Sequence, residues 1–268
     1  MNLGLKQSTG EVIIVSDADC FWPSDVLDKI LPYLADPNIG AVCGQPKMLN
    51  SNETWVSKTE NLYNQKMIEV QLGESKVHSS VLFEGGFSAY KRSVLDKFDD
   101  ETGSDDSGTA FNIIQKKLRT ITVPEATFFT YFPENWSSKI IIKARRAKQL
   151  LRIWLKCLKL FFKRQLFLPK TIALPEIYLF IFNPAICLLL VALTFALLFQ
   201  YPVLFPLFIL LFIVPKSRMY LIEIIQDNFI ILLALIALIT RKKSVVWRKA
   251  EKTRSLLDPD VLRKENLI

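Results

Sequence analysis

The stretch Glu11-Val-Ile-Ile-Val-Ser-Asp-Ala-Asp19 guides the interpretation of the whole sequence. Four branched aliphatic residues follow one another without polar alternation, which is typical of a strand buried on both faces in a parallel sheet. The run ends in two acidic residues, Asp17 and Asp19. Ligands of open parallel sheets bind outside the carboxyl ends of the strands. The stretch therefore predicts a strand that brings two carboxylates to a ligand site.

Helical and strand patterns alternate after this stretch. We expect, in order, a helix capped by Ser24 or Asp25, a strand over 39–44, a helix over about 54–72, a short helix over 91–95, a helix ending at Lys117 and a strand over 118–123. On the long helix, the residues expected to face inward are Trp55, Leu62, Met67 and Val70. Alternation of this kind is typical of an α/β domain.

Charge is divided unevenly along the 268 residues, whose formal net charge is +8. Residues 1–138 carry 12 Lys/Arg and 19 Asp/Glu, whereas residues 139–268 carry 22 and 7. Half of the chain is hydrophobic, which excludes a disordered chain and a collagen-like repeat. The basic charge also raises nucleic-acid binding as a hypothesis. We disfavour it because the basic charge adjoins apolar segments and the first half is acidic.

The cysteines and the single histidine do not indicate a metal centre. The four cysteines lie far apart in the sequence and form no C-x-x-C pair. We therefore expect neither a zinc site nor a disulfide framework, and a reducing compartment fits best. A hydrolase triad would need His78, and no G-x-S-x-G accompanies it. We expect His78 to be a loop or surface residue.

Residues 139–168 differ sharply from the first half, because they contain ten Lys/Arg and no acidic residue. Helical spacing puts the basic residues on one stripe and apolar residues on another. The two stripes are Arg152, Lys156, Lys159 and Lys163, and Leu151, Trp154, Leu158 and Phe162. A basic amphipathic helix of this kind normally lies among the headgroups of an anionic membrane. The alternative is a helix packed on its own domain.

Membrane-spanning segments are expected in the following part of the chain. Residues 177–199 contain no charge and are long enough for a hydrocarbon core of about 30 Å. Residues 203–214 make a second span if they include 198–202. The basic segments then all lie in the cytoplasm, in agreement with the positive-inside rule. We expect this two-span hairpin with a re-entrant or interfacial helix over 219–240, and three spans are the alternative.

The acidic pair Asp17 and Asp19 is the first candidate site. Two carboxylates one residue apart at a turn suit a hard divalent cation, Mg²⁺ or Mn²⁺, that bridges to substrate phosphates. The pair Asp105-Asp106 is the second, and it precedes a helix. These acids could cap the helix or face an acceptor hydroxyl as a general base. Both possibilities remain open at this stage.

The third candidate site is the cluster Gln149, Arg152 and Trp154. An arginine beside an indole could bind a diphosphate and stack on a sugar ring. Trp154 also belongs to the apolar stripe, so packing within the protein is the competing interpretation.

These features, in this order, resemble the membrane-bound family 2 glycosyltransferases. This group includes cellulose, chitin and hyaluronan synthases and many polyprenyl-phosphate glycosyltransferases. The resemblance covers nearly the whole chain. The matching pieces are Asn2-Leu-Gly with Thr9-Gly-Glu11, Asp17-Ala-Asp19, Glu84-Gly-Gly-Phe-Ser-Ala-Tyr-Lys-Arg92, Asp105-Asp106, and Gln149, Arg152 and Trp154 before the hydrophobic hairpin.

The resemblance implies a GT-A fold and an inverting, metal-dependent transfer of a sugar from a nucleotide diphosphate. By position, Asp19 would bind Mg²⁺ or Mn²⁺, and Asp17 would lie near the metal or the ribose. Asp106 would be the catalytic base and Asp105 its neighbour. One base and one metal-bound leaving group are what a single displacement requires.

The resemblance also implies the acceptor side of the site. Gly85 and Gly86 would border the acceptor. Gln149, Arg152 and Trp154 would hold the diphosphate and the acceptor sugar at the membrane surface. The acceptor is expected to be a growing glycan or a polyprenyl-linked lipid at the cytoplasmic face of the cell membrane.

The sequence departs from the family pattern in two places. Ile153 separates Arg152 from Trp154 and swings the indole by about 100° on a helix. A strand–helix–strand unit that reads the nucleotide base is also expected before residue 11, and the chain looks like a member without that unit. A catalytically inactive, membrane-anchored scaffold or partner subunit is therefore the alternative function.

The expected organisation has four parts. Residues 1–138 form a partial GT-A domain, 139–170 an interfacial amphipathic helix region, 171–240 the transmembrane region and 241–268 a basic cytoplasmic tail.

Overall fold

The computed structural model describes residues 1–240 and residue 263. Its strands are β1 (Val12–Val15), β2 (Ile39–Met48), β3 (Ser88–Lys91) and β4 (Arg119–Thr130). Its helices are α1 (Asn2–Gln7), α2 (Val26–Ala35), α3 (Trp55–Val77), α4 (Ser107–Gln115), α5 (Trp136–Phe162), α6 (Lys170–Ile177), α7 (Asn183–Gln200), α8 (Phe205–Ile213) and α9 (Pro215–Ile239). A π-helical turn joins α6 to α7, and short 3₁₀ turns follow β3 and α7. The expected tail over 241–268 lies outside the described residues, apart from residue 263.

The four strands form one sheet in the order β1-β3-β2-β4. β2 and β4 are parallel, and β3 is antiparallel to both β1 and β2. The α/β class is therefore confirmed, but the sheet is mixed. The prediction that the first strand is buried on both faces is wrong. Within the described residues β1 lies at the sheet edge, where only Ile13 is buried.

The centre of the sheet is covered on both faces. Neighbouring residues of β2 point to opposite sides, as the two-residue period of a strand requires. Val42 packs with Ile30 of α2, whereas Cys43 packs with Ala110 and Ile113 of α4. The loop after β1 and the loop before α4 both approach Gly85, which precedes β3.

Helix α3 has a polar inward face. It begins at a capping box, in which Thr54 and Ser57 each accept from the other's backbone N–H. Its buried residues include Thr59, Glu60, Gln71, Glu74 and Ser75. The expectation of an apolar inward face is wrong, since Val70 is 42% exposed. The inward face of α3 is polar because it contacts charged side chains from distant parts of the chain, such as Lys139 and Lys143.

Helix α5 packs inside the protein along most of its length. Leu151 and Trp154 are fully buried in a core that also contains Ile172 of α6 and Ile230 of α9. At Leu151 and Trp154 the apolar stripe therefore packs against other parts of the protein. The end of the helix differs, because Phe162 is 75% exposed.

Two helical segments are long and apolar enough to cross a membrane, namely Lys170–Gln200 and Pro215–Ile239. The expected second span over 203–214 is not one of these two segments, since α8 is a nine-residue helix with Pro202 before it and Pro215 after it. Prolines end helices because they lack the N–H donor and clash with the preceding turn. Helix α9 also packs along α5, where Ile230 and Ala234 join the buried core around Leu151.

Candidate functional site

The turn after β1 is fastened to the loop before β3. The backbone N–H of Asp17 donates to the carbonyl of Gly85 at 3.0 Å, and the Ser16 hydroxyl donates to the carbonyl of Gly86 at 3.1 Å. The turn closes on itself where the N–H of Cys20 donates to the Asp17 carbonyl at 3.2 Å. These bonds fix the backbone from which the acidic side chains project.

Asp17, Asp19 and Cys20 offer ligand atoms that all lie within 4.8 Å of one another. Burial raises the pKa of Asp17, as does the charge of Asp19, whereas Arg146 lowers it. Burial raises the pKa of the Cys20 thiol to about 12, so this side chain is a protonated thiol at neutral pH. The two carboxylates therefore supply the hard oxygen donors that fit Mg²⁺ or Mn²⁺.

Asp106 has two separate roles in the geometry. Its Oδ1 caps α4, accepting from the Ser104 hydroxyl at 2.5 Å and the Ser107 N–H at 2.6 Å. Its Oδ2 faces Gly85: a Cβ built on this glycine would lie 3.5 Å from it and 3.3 Å from Oδ2 of Asp17. Helix capping and access to the site are thus both satisfied by one carboxylate.

Asp105 lies beside this pair and is exposed. Its backbone carbonyl accepts from the Thr109 hydroxyl at 2.6 Å, which extends the start of α4. Partial desolvation of the carboxylate by the surrounding protein, followed by the charge of Asp106, raises the pKa of Asp105. The site therefore concentrates negative charge that a cation would relieve.

The two glycines before β3 occupy different surroundings. Gly85 is partly exposed between the two carboxylates, as described above. Gly86 is buried, and a Cβ there would overlap the ring of Phe128 and come within 2.8 Å of Cys20 Sγ. Gly86 therefore makes room for protein atoms, and its expected place beside the acceptor is wrong.

Gln149 and Arg152 bind the loop that carries the acidic pair. The amide of Gln149 donates to the Gly103 carbonyl, and Nη1 of Arg152 donates to the Thr102 carbonyl at 3.1 Å. Gly103 has φ +80°, a conformation that favours glycine. Both side chains thus hold the 102–106 loop on α5.

Trp154 lies in the core and is fully buried. Its indole stacks on Phe180 with a centroid distance of 5.9 Å. The expected sugar-stacking role is therefore wrong. The physical reason is the one-residue insertion of Ile153, which turns the indole away from the face that carries Gln149 and Arg152.

Two arginines of α5 near the site were not expected from the sequence. Arg145 and Arg146 precede Gln149 by four and three residues, so they lie one helical turn away on the same side. Their charges act on Asp17, and Arg145 also acts on Asp105 and Asp106. Neither forms an ion pair with a carboxylate of residues 1–240. Helical spacing from Gln149 could have identified them.

His78 is remote from this chemistry, as expected. It ends α3, where its Nδ1 lies 2.8 Å from the Ser79 hydroxyl, and its carbonyl accepts from Arg119. All four cysteines are unpaired.

The family profile described as "Glycosyltransferase like family 2" matches residues 1–149. An N-acetylglucosaminyltransferase from Rhizobium meliloti (strain 1021) is 25% identical over 160 residues, which are 55% of this chain and 38% of that protein. Another from Rhizobium sp. (strain N33) is 24% identical over 168 residues, which are 58% of this chain and 37% of that protein. The chain thus spans well under half the length of these relatives.

A solved structure is also similar over most of the chain. It is the mannosyltransferase PcManGT from Pyrobaculum calidifontis in complex with GDP-Man and Mn²⁺. The TM-score is 0.70 with 26% identity, and the match covers 90% of this chain and 66% of that chain. The GT-A-like fold expected from the sequence is confirmed.

Proposed function

Because the chain belongs to the family 2 glycosyltransferases, we propose that it moves a sugar from a nucleotide-diphosphate donor to an acceptor with inversion at the anomeric carbon. The observation that carries this proposal is the meeting of Asp17 and Asp106 over Gly85. One carboxylate lies where a metal would hold the leaving diphosphate, and the other where an acceptor hydroxyl would lose its proton.

The donor side rests on Asp17 and Asp19, which would hold Mg²⁺ or Mn²⁺. The similar mannosyltransferase structure contains Mn²⁺ with GDP-Man, which supports a divalent ion here. Such an ion supplies charge stabilisation for a departing diphosphate. Oδ2 of Asp17 faces Gly85, so an ion on this carboxylate would lie beside that glycine.

Asp106 is the general base in this proposal. Its Oδ1 is held by two hydrogen bonds, so Oδ2 is oriented without further ordering of the side chain. Transfer with inversion needs one displacement: the acceptor oxygen bonds to the anomeric carbon, the bond to the diphosphate breaks, and the acceptor proton goes to Oδ2. Asp105 keeps local charge density high next to this base.

Arg145 and Arg146 are the residues that we assign to the diphosphate. Guanidinium groups match phosphate oxygens in bidentate geometry. Gln149 and Arg152 act differently, because their hydrogen bonds go to the carbonyls of Gly103 and Thr102. They are positioning residues for the loop of the base.

The acceptor in this proposal is a glycan or a polyprenyl-linked lipid at the cytoplasmic face of the cell membrane. Support comes from the two candidate spans and from exposed cations beside exposed aromatic rings at the end of α5. These residues are Lys159, Phe162, Lys163, Arg164 and Phe167. Such a mixture suits an anionic headgroup layer.

The test is transfer by the full chain purified in detergent. Labelled UDP-N-acetylglucosamine and GDP-mannose are offered with Mn²⁺, Mg²⁺ or chelator, with and without polyprenyl phosphate. Metal-dependent product formation or donor hydrolysis is the expected result. If neither donor is consumed under any condition while the protein remains folded, the chain does not catalyse transfer alone and the scaffold alternative takes its place.

A further inference from the structure

A buried ion cluster joins α9 to the catalytic domain. Nζ of Lys139 lies 2.7 Å from Oε2 of Glu223, and Nζ of Lys143 lies 2.8 Å from Oδ1 of Asp227. Lys143 also contacts Glu223 directly. The two lysines belong to α5 and the two carboxylates to α9, so the cluster fixes one helix on the other.

Helix α3 completes the cluster. Oε2 of Glu60 lies 3.1 Å from Nζ of Lys143 and 3.4 Å from Nζ of Lys139. Lys139 also donates to the Thr59 hydroxyl at 2.9 Å, and Lys143 lies 4.2 Å above the Tyr63 ring. Three helices thus meet at two ammonium groups.

Most of the cluster is buried, and Asp227 is its most exposed member, with 18% of its side chain exposed. The side chains of Lys139, Glu60 and Glu223 are 0%, 1% and 8% exposed. Burial lowers the pKa of Lys143, but attraction by Glu60, Asp227 and Glu223 outweighs it and holds the pKa above the usual range. Both lysines therefore depend on the carboxylates of α9, because an uncompensated buried charge is strongly destabilising.

Two helices of the cluster, α5 and α3, also contact the acidic site. Along α5, the residues that follow Lys143 by six and nine positions are Gln149 and Arg152, which hold the loop of Asp106. Along α3, Gln71 donates to Oε1 of Glu84 at 3.3 Å, next to Gly85. A single helix is stiff over these distances, so a shift at the cluster moves the site.

We propose that Glu223 and Asp227 are positioning residues for the transfer reaction, which act by holding α5 and α3 in the arrangement that sets the Asp106 loop. This rests on the proposed function for its catalytic consequence. Helix α9 then contributes to the geometry of the catalytic site, in addition to any role as a membrane anchor.

The experiment compares the wild-type chain with a Glu223→Gln, Asp227→Asn variant in detergent. Hydrogen exchange is followed in the 102–108 segment and in β2, and transfer kinetics are measured in parallel. The matched control is Glu69→Gln on α3, which breaks an exposed pair with Lys66 whose side chains are 58% and 64% exposed. We expect faster exchange in 102–108 with β2 unchanged, and kcat lower by up to about 100-fold with donor KM little altered.

Unchanged exchange in 102–108 overturns the proposal. So does equal acceleration in 102–108 and β2, since that pattern reports general loss of stability. If the variant does not fold, Glu223→Asp, which keeps the charge and shortens the side chain, is judged by the same criteria. Exchange needs no activity, so a wild-type chain that transfers nothing refutes the proposed function and leaves this test intact.

Discussion

Oδ2 of Asp17 and Oδ2 of Asp106 face the same point, the vacant Cβ position of Gly85, at 3.3 and 3.5 Å. The two residues lie 89 positions apart in the chain, one after β1 and one before α4. Their meeting gives the site a metal side and a base side separated by the space that glycine leaves open.

The first prediction concerns that space. Gly85→Ala puts a methyl group between the two carboxylates, and we expect kcat/KM to fall about tenfold or more while the melting temperature changes little. An obstruction at the reacting centre costs rate because small misplacements are expensive there. Steady-state kinetics and thermal unfolding measure the two effects.

Gly73→Ala is the matched control for Gly85→Ala. Gly73 lies within α3, and a Cβ there would meet nothing within 4 Å. Alanine in a helix interior is favoured over glycine by about 0.5–1 kcal/mol, so this variant gains stability with unchanged kinetics. If Gly85→Ala and Gly73→Ala had the same kcat/KM, the assignment of Gly85 to the reacting centre would be contradicted.

Gly86, the neighbouring glycine, is expected to matter for stability, whereas Gly85 is expected to matter for the reaction rate. In Gly86→Ala the methyl group would overlap the ring of Phe128 in the core. We expect a loss of about 1–3 kcal/mol in the free energy of unfolding, because a packed core resists added volume. Chemical denaturation measures this loss. A variant as stable as the wild type would contradict the close packing of the Phe128 ring against Gly86.

Trp154→Phe separates core packing from sugar recognition. The indole is fully buried against Phe180, so the smaller ring should lower the free energy of unfolding by about 1–3 kcal/mol. The acceptor KM should stay the same. Trp55→Phe, a change in a partly exposed tryptophan that contacts Trp136, is the control. A raised acceptor KM with unchanged stability would restore the sugar-stacking role.

Divalent metal should stabilise the protein in a pH-dependent manner. Because the pKa of Asp17 is raised in the folded state, the contribution of this residue to metal-free stability is fully present below the ordinary value of 3.8 and is lost as the pH rises through the folded value. Mn²⁺ offsets this loss, by about 2.7 kcal/mol at 100 times its dissociation constant. Thermal unfolding should show a larger Mn²⁺ effect at pH 7.5 than at pH 4.

Asp17→Asn with Asp19→Asn is the matching variant for the metal prediction. It should be at least as stable as the metal-free wild type at pH 7.5, because one source of repulsion is gone. It should also lose its response to Mn²⁺. A response equal to that of the wild type would place the metal elsewhere.

Local sequence patterns predicted β1, β2, β4 and helices α2, α3 and α4, but they did not predict α1, β3 or which elements lie next to one another. The apolar run of β1 indicates a strand, yet its place at the sheet edge depends on pairing with β3, more than 70 residues later. Helix α3 was expected at the right place, and its capping box is local. Its polar inward face was not expected, because the lysines that it meets come from α5.

The candidate site shows the same division. Asp17 and Asp106 could be predicted as site residues, because one follows a strand and the other precedes a helix, and both element ends are visible in the sequence. The contacts of Glu223 and Asp227 with α5 were not expected from the sequence, since isolated carboxylates are costly to bury. Their cost is offset by Lys139 and Lys143, about 80 positions earlier, a compensation that no local window contains.

The role of Asp106 as the catalytic base is tested most directly by comparing the turnover of Asp106→Asn with that of Asp100→Asn. Asp100 lies nearby, is exposed and pairs with Lys97, so its change is a control for charge in the same segment. We predict that Asp106→Asn loses about 100-fold or more in kcat, as removal of a general base does, while Asp100→Asn matches the wild type. Equal turnover of Asp106→Asn and the wild type would contradict the assignment of Asp106 as the general base.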